Sequence, residues 1–150
     1  MTLAPRTLAL VVLLGATALG ALPAEAQSRA SCAVRQMLGR KEPGGIAPEI
    51  KFLAPQLSKP PFTAWKSFQY LGRTDLQMTK DEAKQLVLAT GRHRLRLTYL
   101  GREGGQLRLK LSIDPKYLDV TYRIVSGGTF LQVGLPHEGG TVIIATTCKG

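Results

Sequence analysis

Through its second half the chain alternates between apolar and polar residues. Leu95, Leu97 and Tyr99 are interleaved with Arg94, Arg96 and Thr98, and after Gly101-Arg102-Glu103-Gly104-Gly105 the alternation resumes with Leu107, Leu109, Leu111 and Ile113 against Arg108, Lys110 and Ser112. A period of two sends successive side chains to opposite faces of a strand, so the pattern predicts a hairpin with one apolar and one basic face. Leu118, Val120, Tyr122 and Ile124, with Asp119, Thr121 and Arg123 outward, predict a further strand beyond the turn Asp114-Pro115-Lys116. Ahead of the hairpin, residues 68–78 read as a strand with an irregularity at Gly72, and residues 84–88 as a shorter one after the polar turn Thr79-Lys80-Asp81-Glu82. Behind it, Ser126-Gly127-Gly128 leads into a strand over residues 129–133. Leu135-Pro136-His137-Glu138-Gly139-Gly140 reads as a last loop, and residues 141–148, β-branched and without alternation, as a deeply buried strand.

The first half reads differently. Residues 32–38 predict an opening strand, ended by the turn chemistry of Lys41-Glu42-Pro43-Gly44-Gly45. Ile46, Ile50, Leu53 and Leu57 then recur at helical spacing, with Pro48 tolerated in a first turn. Pro55 would break a single helix, so two short helical turns are the alternative. Lys59-Pro60-Pro61-Phe62 reads as an extended connector, with Trp65 and Phe68 beside it covering the core. Together these segments predict a mainly β fold: an antiparallel β-sandwich or barrel-like sheet of about eight strands, with one short helical segment on an edge or at one end.

The N-terminus carries no such pattern. An apolar run from Leu8 to Leu22 behind Arg6, followed by Ala24-Glu25-Ala26, predicts a signal peptide over residues 1–26, leaving residues 27–150 as a single β-rich domain. The run is short of the ~20 residues needed to cross hydrocarbon, and no second stretch approaches that length. A lipid anchor on Cys32 would want an aliphatic residue where Arg29 stands. The expected product is exported, periplasmic or secreted. In an oxidising compartment Cys32 and Cys148, the only cysteines, would close nearly the whole domain as a structural disulfide; a redox pair would want Cys-x-x-Cys spacing.

The leader contributes Arg6 and Glu25, so the remaining domain keeps the full net charge of +10. That bias favours anionic partners or serves solubility alone. Arg92, Arg94 and Arg96 on one strand, joined by Arg108 and Lys110 from the next, form a candidate anion-binding face; an ordinary solvated face is the competing reading. Nucleic acid is a poor partner for an exported protein, and few outward aromatics accompany these cations to stack on bases. His93, on the apolar side of its strand, and His137 are too far apart in sequence to suggest a metal centre, and no cofactor motif is present. His137 with Glu138 forms a candidate acid–base pair on a loop. The paired glycines have no phosphate-binding spacing and read as turns.

Gly44-Gly45-Ile46-Ala47-Pro48, the segment KPPFTAWKSF over residues 59–68, Gly127-Gly128-Thr129 and Gly139-Gly140-Thr141 resemble a group of small exported bacterial proteins of unknown function. The resemblance implies an exported bacterial domain and brings no activity or ligand. The expected function is a non-enzymatic binding or scaffolding module whose partner is an envelope protein or an anionic polymer. The alternatives are an anion-binding protein acting on acidic polysaccharide, lipid headgroups or nucleic acid, and an envelope hydrolase.

Overall fold

A computed structural model describes residues 28–114 and 117–150. The leader expected over residues 1–26 lies outside the described residues, as do Pro115 and Lys116. Among the described residues, nine strands form two sheets: β1 (Arg29–Arg40), β2 (Gly45–Ile46), β3 (Ser67–Thr79), β4 (Ala83–Val87), β5 (Arg94–Glu103), β6 (Gln106–Asp114), β7 (Leu118–Ile124), β8 (Thr129–His137) and β9 (Gly140–Lys149). Sheet A has the order β2-β3-β1-β9-β8, and sheet B is the meander β4-β5-β6-β7. All pairs are antiparallel except the two-residue β2–β3 pair. The chain thus adopts the expected class, a β-sandwich with one short helical segment. The strand beyond the expected eight is β2, too short to carry a period.

The alternation of sheet B does what its period demands. Leu95, Leu97, Tyr99, Leu107, Leu109, Leu111 and Ile113 all point inward and are buried against Val34, Leu38, Val142 and Ile144 of sheet A. The hairpin turn contracts to Gly104-Gly105, both at positive φ, and the strands run to Glu103 and from Gln106. The expected last loop is likewise mostly strand. β8 continues through Pro136, which an edge strand tolerates because its missing N–H faces outward, and the turn is only Glu138-Gly139, again with positive φ at both positions.

Sheet A is covered on both faces. On β1, Cys32, Val34, Gln36 and Leu38 face sheet B while Met37 faces away, and on β9 Ile143 and Ala145 face away beside it. That outward apolar stripe is sealed by a 3-10 turn (Pro48–Leu53) running into one α-helical turn, α1 (Ala54–Leu57), through Ile50, Leu53 and Leu57. Pro55 sits in the first turn of α1, where it costs no hydrogen bond, so the helical period survives as two short turns. The segment was expected at an edge or an end. It lies instead on a sheet face, because a central strand whose successive residues are all apolar needs cover on both sides. The Lys59-Pro60-Pro61-Phe62 connector also departs from expectation. It folds as a turn with a cis Pro60–Pro61 bond and a Phe62 N–H to Lys59 carbonyl bond of 2.9 Å, which tucks Phe62 into the same outer core.

β1 and β9 pair side by side with Cys32 opposite Cys148, and the two form a disulfide inside the core, 4.1 Å between Cα atoms. No described helix is long and apolar enough to cross a membrane.

Candidate functional site

The solvent face of sheet B carries most of the predicted cations. Arg94 and Arg96 project from β5, Arg108 and Lys110 from β6, and all four are exposed. Arg92 is not among them. The Leu88 N–H bonds the His93 carbonyl at 2.9 Å and closes a turn before β5 begins at Arg94, so Arg92 belongs to that turn. His93 belongs to it too, not to the apolar face of a strand; its Nδ1 lies 3.1 Å from Thr90 Oγ1 and its ring meets the edge of Tyr117.

Pairing brings in acids that the linear pattern kept apart. Asp114 lies opposite Arg94, Lys110 Nζ is 3.5 Å from Asp119, and Glu103 reaches Arg123 at 2.7 Å and Arg108 at 3.7 Å. Gln85, the β4 partner of Arg96, accepts from its Nη2 and Nε at 2.7 and 3.2 Å with the amide oxygen turned toward the guanidinium. These exposed pairs add little stability, but they supply counterions from within the sheet. The mutual repulsion of these cations is therefore largely offset.

Register also gives this face its shape. Thr98 and Ser112 are small and lie on the two central strands, with Ala83 beside Thr98 on the edge strand β4, and the longer Arg96 and Lys110 flank them. The result is an open groove of about 640 Å³, with Asp81 and Ala83 on one side and Asp114, Tyr117 and Asp119 on the other. Tyr117 is 50% exposed, and its hydroxyl donates to the Gly134 carbonyl of β8 at 3.3 Å. The groove thus offers two cations, three carboxylates, hydroxyls and one anchored aromatic ring. Tyr117 was not singled out from the sequence; its place at the end of a turn gave no periodic signal.

Sheet A has a second concavity, of about 350 Å³, on the part of its outer face beyond the helical segment. Ala33 forms its floor, between Asp75 of β3 and Thr147 of β9, with Ser31, Arg35, Arg73 and Lys149 around it. Burial, then the neighbouring charge of Arg73, lower the Arg35 pKa, whereas hydrogen bonding to Asp75 raises that of Arg73. The sequence did not reveal this ring, because its members come from residues 31–35, 73–75 and 147–149.

His137 ends β8 and Glu138 begins the following turn, with His137 Nε2 3.6 Å from Glu138 Oε1. Among the described residues, no three His, Cys, Asp or Glu gather closely enough to hold a metal ion. Compared with known proteins, the chain matches no family model, no curated protein and no solved structure.

Proposed function

We propose that this domain is a non-enzymatic binding and scaffolding module of the bacterial cell envelope, periplasmic or secreted, that takes its partner in the groove on sheet B. The observation carrying this reading is the lining of that groove: Arg96 and Lys110 beside Asp81, Asp114 and Asp119, with Tyr117 at the rim. A purely anionic or purely cationic ligand would meet repulsion from one of the two sets. A segment of protein bearing both signs satisfies them together, and complementary charge fixes its orientation. Tyr117, half exposed and tethered through its hydroxyl, has the amphipathic character of residues that anchor protein interfaces. The internal disulfide supports a working place outside a reducing cytosol.

The test is capture from envelope extracts by the oxidised domain, compared with an Arg96→Glu, Lys110→Glu, Tyr117→Ala variant. A partner recovered by the parent and lost by the variant supports the reading. Recovery unchanged by the variant, or turnover of a defined substrate by the domain, defeats it.

Polyanion binding through Arg94, Arg96, Arg108 and Lys110 is the second reading, favoured by the net charge of +10. Its weakness is the presence of Glu103, Asp114 and Asp119 among those cations. Heparin retention that falls steeply with salt, and is lost when Arg94, Arg96 and Arg108 are reversed in charge, would favour it over the groove.

A further inference from the structure

We infer that the outer face of sheet A carries a separate site, a depression floored by Ala33 that takes a small hydroxyl-bearing oxyanion: a sugar acid or a sugar phosphate.

The depression follows from register. Ala33 is the one short side chain at the centre of three paired strands; its neighbours along β1 are Ser31 and Arg35, and across the sheet it faces Asp75 and Thr147. Longer side chains on every side leave a hollow of about 350 Å³, at the lower end of the size range of small-ligand pockets. The helical segment covers the rest of this face and stops short of it, with Phe52 at its margin.

Charge sets the class of ligand. Arg35, Arg73 and Lys149 meet one carboxylate, Asp75, which already holds Arg73 through Nε and Nη2 at 2.9 and 2.7 Å. Arg35 and Arg73 are register partners, so like charges face each other directly. On sheet B the corresponding crowding is relieved by Asp119 and Glu103; here the single acid pairs its charge with one arginine and keeps lone pairs for other donors. Arg35 cannot swing away at no cost, since its guanidinium lies over the Phe52 ring, 4.9 Å from the centroid. An oxyanion seated between Arg35 and Lys149 would relieve the repulsion, and the planar guanidinium suits the two oxygens of a carboxylate or phosphate.

The neutral groups point to hydroxyls on the same ligand. Ser31 Oγ accepts from Gln77 Nε2 at 3.2 Å, so its own hydrogen is directed elsewhere, and Thr147 Oγ1 shares a 2.7 Å hydrogen bond with Thr129 Oγ1 at the opposite rim. Asp75 adds an acceptor of the kind that sugar hydroxyls seek.

The test is an amide chemical-shift titration of the oxidised domain with glucuronate, glucose 6-phosphate, inorganic phosphate and glucose. Shifts on β1, β3 and β9 with glucuronate assign a sugar acid, and with glucose 6-phosphate a sugar phosphate. Affinity should fall about tenfold in Lys149→Gln, the size of one charge-assisted hydrogen bond, and similarly in Ala33→Val, which fills the floor with a residue suited to a strand. The groove variant Arg96→Glu should bind as the parent does, which separates this site from the function proposed above. No shift with either sugar anion, affinity unchanged in both Lys149→Gln and Ala33→Val, or equal affinity for inorganic phosphate would each overturn the assignment.

Discussion

Gln36 of β1 accepts a hydrogen bond from the backbone N–H of Ala89 at 2.7 Å, so a side chain of sheet A holds the turn that follows β4 in sheet B. Its Nε2 reaches the Val87 carbonyl at 3.4 Å. Gln36 is buried, and this bridge gives a polar residue in the core its partners. Replacing Gln36 by Leu should lower stability by about 1 kcal/mol. The denaturant midpoint and the exchange protection of the Ala89 amide report it together; protection unchanged in the variant would mean that the bridge does not hold the turn.

Gly39 leaves the room on sheet A that the Trp65 indole fills. A Cβ at this position would lie 2.8 Å from Trp65 Cγ and 3.1 Å from Ile143 Cδ1. Gly39→Ala should therefore displace the indole at a cost of about 1–3 kcal/mol, the range for overpacking. Trp65 is the only tryptophan, so its emission reads the displacement directly and should move to longer wavelength. Emission and midpoint both equal to the parent would contradict the packing.

The Cys32–Cys148 bond spans a sequence separation of 116 residues. In the chain-entropy picture a closure of about that length contributes up to ~5 kcal/mol by restricting the unfolded chain. Replacing both cysteines by alanine should cost a large part of that figure in urea unfolding, and reductant should then have no further effect. A loss below about 1 kcal/mol would mean that β1–β9 pairing confines the unfolded chain without covalent help.

Burial raises the pKa of the Tyr122 phenol, which stacks on Phe130 with ring centroids 3.8 Å apart. Burial acts in the same direction on Tyr99. The unfolded chain releases these protons near pH ~10, before the folded protein does. The stability they contribute is complete below that pH and is lost as pH rises toward the folded-state values. The Tyr122 hydroxyl faces Thr146 without a hydrogen bond of good geometry, so Tyr122→Phe should be close to neutral at pH 7 and should flatten the alkaline loss. Unfolding midpoints measured from neutral to alkaline pH test this; parallel curves for parent and variant would refute it.

What the sequence disclosed and what it concealed divide along the range of the interactions. Leu95, Leu97 and Tyr99 each sit two residues apart on a strand with one wet face, and that local rule was enough to orient β5, β6 and β7. The β-branched run of β9 announced a deeply buried strand, without saying that both faces would be covered or by what; the outer cover is Ile50, Leu53 and Leu57, about 90 residues away. The cationic face was visible in Arg94, Arg96, Arg108 and Lys110, but Glu103 and Asp119 became their partners only through cross-strand register. For the Ala33 depression no local signal existed, since three strands distant in sequence contribute to it.

The position of the single covalent cross-link also governs how the domain would bear tension. It joins residues close to both ends of the described chain, on strands that already lie side by side. A pull applied at Arg29 and Lys149 travels through the sulfur bridge and loads only the outermost ends of β1 and β9, leaving sheet B and the chain between the two cysteines slack. Under load the oxidised domain should behave as an inextensible link, and only reduction would let the sandwich unravel.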